Sequence, residues 1–485
     1  MNKAHFQTCM LLAASLPSVC MAHGFGQTFT LPMPFWMVAW ASSAVLLLTF
    51  ALLAISTPTP AQQPSEASLS PNALAQAHPQ WPLQLAQTVS LLVFFLAVYA
   101  GFAGTQNRNS NLAMTYFWIV WLLAGVYTMG LLGGWTGPWF NHLNPYRISF
   151  SGFQTQRQPY PAGLSHWPAV LGLVGLAWLE LFGHTRPVHV SWMLSLYGLY
   201  ALLGCWLWGS HTFFAKADWF SLYFDWLHRM GISVRQVFQP GFQANNTAAG
   251  LQQAAPSLAS VVFVLGLFST TALDGLKDTQ WWLKSVWPWF VAWAAPMTGY
   301  PLETLQTNPM QASAVLGGAF GVFEQVTVLL SPWVLGAVFC LTLWLGLKLG
   351  RARMSIAQAI LQFGPALMPI VLAYSLSHYF TLILTQGVQI VHLLSDPLGR
   401  GWNMLGTRNL WRAPVLLDAQ LIWWMQLTMI VAGHVLSAVL AHRQAFAHLP
   451  TRRQANLSQL PILALMVALT VLGLWILSQP LQLGR

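Results

Sequence analysis

From Met33 to Ile55 the chain passes through Trp, Val, Leu, Phe and Ala without one Asp, Glu, Lys or Arg. That length matches the roughly 20 residues a helix needs to cross a ~30 Å hydrocarbon layer. Further apolar runs follow at about 85–104, 113–134, 167–182, 190–208, 257–275, 313–349, 357–383, 415–441 and 459–478. In lipid every backbone N–H and C=O must be bonded within the protein, which leaves helices or closed barrels. Barrel strands alternate apolar and polar residues, and these runs are continuous, so helices are expected. The predicted fold class is all-α, a polytopic transmembrane helical bundle of about 10 spans. Two segments leave 12 as the alternative: the 313–349 run contains Pro332, which either kinks one long helix or divides two short ones, and the Trp-rich stretch from Trp281 to Met297 has the aromatic enrichment of an interfacial segment.

Charge decides orientation and excludes a partner class. Only 6% of residues are charged and 56% are hydrophobic, with mean hydropathy +0.54, whereas soluble domains carry roughly 25% charged residues. The net charge of +10 is scattered beside hydrophobic spans, which fits membrane orientation and no nucleic acid. Lys3, the apolar stretch Cys9 to Val19 and the small-residue site ending at Ala22 form a signal peptide over 1–22. A single multi-span domain, 23–485, then begins at His23 outside the cytoplasm. The clusters Lys348-Arg351-Arg353 and His442-Arg443 through Arg452-Arg453 belong inside, and the span count agrees. Ser395 to Pro414 then falls outside despite Arg400, Arg408 and Arg412, and is expected to be a structured loop. Residues 56–84 read as a flexible cytoplasmic linker, and 210–231 as an amphipathic helix on the cytoplasmic interface. The cysteines offer no disulfide framework.

Ionisable groups at membrane depth are costly enough to be functional candidates. The topology puts Asp274, His378, His392, Asp396, Asp418 and His23 on the external side, imidazoles and carboxylates of the kind that hold a divalent transition metal such as Zn, Mn, Fe or Cu. The plainer alternatives are a helix-ending Asp274 meeting Lys277 in solvent, and a His378 hydrogen-bonded between helices. His23, freed by cleavage, offers an amine and an imidazole for a chelate, or is simply a polar terminus. On the inner side His434 and His442, eight residues apart, share a helix face; His434 suits a proton path or simple packing. Glu180 and Glu324, both in apolar runs, are candidates for a transporter's coupling site, and Arg147 for an anion contact. No P-loop, GxSxG elbow, Rossmann fingerprint or CxxCH site is present.

Several segments together carry a family resemblance: HGFGQTFTLPMPFW at 23–36, NPYR at 144–147, LSHWPAVLGLVGLAWLELF at 164–182, LDGLKDTQWW at 273–282, LAYSLSHYFTLILTQG at 372–387, SDPLGRGWNMLGT at 395–407 and GHVLSAVLAHRQA at 433–445. The chain resembles the bacterial multi-pass fenitrothion hydrolase family, over most of its length and in the same order. The resemblance implies a bacterial inner-membrane hydrolase that cleaves an organophosphate triester and releases a nitrophenol. That chemistry calls for a metal-activated water and a positive centre for the developing charge. Asp274, His378 and Asp396 fall in matching segments as catalytic candidates, with His23, Asp274, His378 and His392 as metal candidates. His378 matches the second histidine of the family pattern AYHLAHY, while Ser375 replaces the first. Two other classes stay open beside a hydrolase acting on a small-molecule substrate: a transporter for a small organic solute or metal ion, and a non-catalytic membrane subunit that assembles with a protein partner.

Overall fold

The computed structural model describes residues 33–56, 81–136, 139–230, 251, 253–410 and 417–479. The signal region with His23, nearly all of the 56–84 linker and Arg412 lie outside the described residues. Among the described residues the secondary structure is helical with no strands, and ten helices are long and apolar enough to cross a membrane. The protein is an all-α polytopic membrane bundle.

The spanning helices are α1 (Phe35–Ser56), α2 (Trp81–Ala103), α3 (Leu112–Gly130), α4 (Trp167–Phe182) and α5 (Pro187–Trp208). After the short α6 (Trp219–Met230) comes α7 (Leu258–Lys277), then the short α8 (Trp287–Ala294) and the long α9 (Pro309–Leu349). The remaining spans are α10 (Met368–Gln386), α11 (Ala419–His448) and α12 (Arg452–Ser478). The helix α7 is largely buried because it is central: it packs on α4, α9 and α10. Its start is fixed by Ser257, whose Oγ accepts from the Ser260 N–H at 3.1 Å.

The Pro332 ambiguity resolves into one continuous helix. Proline supplies no N–H to the carbonyl four residues back, and here the Ser331 hydroxyl bonds that orphaned Val328 carbonyl at 2.9 Å while also reaching Ser269 Oγ at 2.9 Å. The helix α9 is thus about 60 Å long, twice the hydrocarbon thickness. Its first half packs with α8, where Phe290, Leu305, Leu316 and Phe320 form a separate apolar cluster. The Trp281 to Met297 stretch builds this annex and adds no spanning helix.

The segment expected as an interfacial helix over 210–231 is a correction. It forms a helix at Ser210–Lys216 and then α6, and Phe213, Phe220, Phe224, Trp226 and Leu227 are all buried in the protein. Its polar residues mislead because the most central of them, Asp218, is fully buried. That carboxylate accepts from Tyr197 Oη at 2.6 Å, Ser221 Oγ at 2.6 Å and the Phe220 and Ser221 N–H groups, so it serves the protein interior and not water.

The connections sort into two ends. At one, Thr105 N–H donates to the Leu398 carbonyl, Leu112 N–H to the Pro397 carbonyl and Arg400 Nη2 to the Ala103 carbonyl. At the other, Ser210 N–H meets the Phe153 carbonyl, Ala255 N–H the Leu361 carbonyl, and Gln454 Nε2 the Arg351 carbonyl. Segments assigned to a common side by counting spans touch one another.

Candidate functional site

Three helices bring their ionisable residues together near the end of the bundle that carries the 396–410 loop. The last turn of α7 presents Asp274 and Lys277, three residues apart and so on one face. The last turn of α4 presents Glu180, and α10 presents the adjacent His378 and Tyr379.

Asp274 Oδ2 lies 2.8 Å from His378 Nε2, and Asp274 Oδ1 lies 3.3 Å from Lys277 Nζ. Lys277 also reaches Asp278 Oδ1 at 3.2 Å and sits over the Phe182 ring at 5.8 Å. Next along α10, the Tyr379 hydroxyl donates to Glu180 Oε1 at 2.6 Å. The side chains of Asp274, His378 and Lys277 are only 10%, 11% and 13% exposed. A mostly desolvated pair of this kind is held by charge-assisted hydrogen bonds on both carboxylate oxygens. The arrangement is a two-carboxylate network strung on one turn of α10, with α12 closing over it: a Cβ at Gly275 would lie 3.2 Å from Ile476 and 4.0 Å from His378 Nδ1.

The sequence expectations divide at this point. Asp274 and His378 meet, as a shared external side requires, and Lys277 joins them inside the protein, not in solvent. Asp396 does not join them. Its two oxygens accept the Arg400 N–H at 2.9 Å and the Gly401 N–H at 2.8 Å, which makes it the fastening of a tight loop. The same loop uses Arg408, whose Nη1 donates to the Gly401 carbonyl at 2.5 Å, so Arg400 and Arg408 are there to hold backbone. His392 lies 14 positions past His378, on a separate short helix, Ile390–Ser395, that follows a 3₁₀ turn at Gly387–Gln389. Asp418 caps α11 by accepting the Leu421 N–H at 3.2 Å.

Glu180 and Glu324 are apart as well: Glu324 Oε1 accepts from Trp282 Nε1 at 3.0 Å beside the α8 annex. Arg147 donates to Asn141 Oδ1 at 2.6 Å and lies over Phe214 at 5.4 Å, at the other end of the bundle. Tyr379 carried no signal of its own in the sequence. Glu180 had one, since it closes a span at the same end as Asp274.

A divalent metal does not fit this donor set. Both oxygens of Asp274 are engaged, one of them by an ammonium that would repel a cation, and no three His, Cys, Asp or Glu side chains group as ligands among the described residues. His23 lies outside them.

No protein-family model matches the chain, and neither a curated protein nor a solved structure matches it.

Proposed function

We propose that this protein is a proton-translocating membrane transporter for a small solute, with the Asp274–His378 and Glu180–Tyr379 pairs as its proton-handling site on the outer side of a bacterial inner membrane. One observation carries the reading: two carboxylates from the ends of different helices converge on neighbouring residues of a third, buried in an apolar bundle. Ionisable groups so placed are the usual parts of proton relays and coupled transport sites. The 2.8 Å contact puts a carboxylate and an imidazole within direct proton-transfer distance. When Asp274 is protonated, the charge that holds Lys277 and His378 is removed, which changes the bonding between α7 and α10. That difference between two protonation states biases a helix arrangement, as coupling requires. The basic clusters at Lys348 to Arg353 and Arg443 to Arg453, read by the positive-inside rule, support an external position for the network.

A second reading is favoured by the same pair. An aspartate-oriented imidazole is a general base for water, and Lys277 supplies a positive charge for a phosphoryl oxygen, which is the hydrolysis that the family resemblance implies.

The test is reconstitution into liposomes with an internal pH dye. Proton uptake is measured under an inside-negative potassium diffusion potential, alone and with external 4-nitrophenol, and nitrophenol release from fenitrothion is followed in the same vesicles. Proton uptake that Asp274→Asn abolishes supports transport. Nitrophenol release that disappears in His378→Ala, without proton uptake, puts hydrolysis first. Neither signal sinks both readings and leaves the protein as a non-catalytic subunit of an assembly.

A further inference from the structure

Halfway along α11, His434 and Ser437 are both fully buried. His434 Nδ1 lies 2.8 Å from the Ile430 carbonyl, an oxygen that only accepts, so the ring proton is on Nδ1 and Nε2 carries a bare lone pair. Among the described residues Nε2 has no hydrogen-bond partner, and neither does Ser437 Oγ. Buried polar atoms are nearly always satisfied, and a serine within a helix ordinarily bonds the carbonyl one turn back. Two unsatisfied atoms three residues apart on one helix face are close enough for a shared partner.

The surroundings select that partner. Ile430 packs in an apolar cluster with Val38 of α1 and Leu474 of α12. No Asp, Glu, Lys, Arg or His occurs in α1 or in α12 beyond Arg453. On α10 the titratable residues are Tyr374, His378 and Tyr379, and on α11 itself the others are His442, Arg443 and His448. Among the described residues no three His, Cys, Asp or Glu side chains group to hold a metal, whereas a water molecule matches both a lone pair and a hydroxyl.

We propose that His434 and Ser437 hold an internal water, and that this hydrated pair is the mid-membrane station of a proton path from the Asp274–His378 network to His442 at the opposite end. The inference rests on the proton-transport reading above. Gln426 Nε2 donates to the Ser377 carbonyl at 2.8 Å, which sets His378 level with the early turns of α11. His434 lies about two turns deeper and His442 about 12 Å deeper again, where its Nδ1 meets Gln459 Oε1 at 3.1 Å and its ring meets Phe50 edge-on. The step balances when the bound water first receives a proton from the Asp274–His378 side: the resulting hydronium gives one proton to Nε2, leaving neutral water and an imidazolium. Nε2 then gives that proton to water on the His442 side and returns to the neutral ring, while the other ring proton stays on Nδ1, bonded to the Ile430 carbonyl.

The experiment is the same proton-uptake assay with His434→Gln and His434→Leu, each compared with wild type for thermal unfolding in detergent. Gln keeps a polar group of similar length but does not titrate. At least a tenfold loss of uptake in His434→Gln, with unfolding unchanged, supports the station. Undiminished uptake in His434→Gln while Asp274→Asn blocks it overturns the station and leaves the transport reading standing. If wild type takes up no protons, or Asp274→Asn takes them up normally, the transport reading falls and the station with it.

Discussion

Asp274 Oδ2 and His378 Nε2 stand 2.8 Å apart although 104 residues separate them in the chain. The contact ties the end of α7 to the middle of α10, and Lys277 holds the other oxygen of the same carboxylate at 3.3 Å. Removing the carboxylate leaves two donors facing each other in a poorly hydrated site. Asp274→Ala is expected to lower stability by about 3 kcal/mol, the range for breaking a buried charged pair. Asp274→Asn, which keeps the shape, is expected to cost less stability but to cut the site's activity by at least about 100-fold, as loss of an acid–base group does. Thermal unfolding in detergent beside the liposome assays separates the two effects.

Tyr379→Phe deletes the hydroxyl that donates to Glu180 at 2.6 Å. The expected loss is about 1–3 kcal/mol, because a charged acceptor loses a buried donor. A cycle with Glu180→Gln measures the coupling directly; an additive double variant would show that the pair does not act as a unit.

Asp218 is predicted to give a pH-dependent stability. Burial raises its carboxyl pKa above the ordinary value, while bonds from Ser221, Tyr197 and the Phe220 N–H pull the other way without cancelling the rise. A carboxyl whose folded pKa is raised contributes stability below its unfolded pKa of about 3.9, and loses it as pH climbs through the folded value. The unfolding temperature of Asp218→Asn relative to wild type should therefore improve from pH 4 upward. A constant difference across that range would contradict the assignment.

At Gly433 a methyl group would run into Ala373 Cβ and lie 2.7 Å from the Pro369 carbonyl oxygen, so α10 and α11 are in backbone contact there. Gly433→Ala is expected to cost about 1–3 kcal/mol by overpacking. Gly318→Ala in α9 meets open space and should be neutral or stabilising by up to about 1 kcal/mol. Unfolding temperatures of the two variants test the contrast, and equal effects would remove the close approach as an explanation.

The Ser331 hydroxyl compensates the carbonyl that Pro332 leaves unbonded. Ser331→Ala should destabilise by about 1 kcal/mol, and adding Pro332→Ala should recover part of that by restoring a helix N–H. If the double variant is no better than Ser331→Ala, the hydroxyl has no such role.

All ten spans were legible in the sequence because each carries its own evidence: a helix that long and that apolar has only one stable solvent, whatever its neighbours do. The two-sided sorting of connections followed from counting those spans, and the contacts among the loops agree with it. The Asp274–His378 pairing was half legible, since topology supplied the shared side and not the distance. The hydrophobic pattern also misled, because the polar residues of α6 look like a wetted face and are in fact satisfied inside the protein by Tyr197 and Ser221.

The sequence by itself therefore determined the solvent and the helices, which are properties of single segments. Only the tertiary structure decided that Lys277 is inside the site, that Asp396 fastens a loop to its own backbone, and that Glu180 belongs with Tyr379 and not with Glu324. The physical reason is that a buried ionisable side chain is defined by the partner that offsets its desolvation. In this bundle that partner sits on another helix 199 residues away for Glu180 and within five residues for Asp396, a difference that hydropathy does not record.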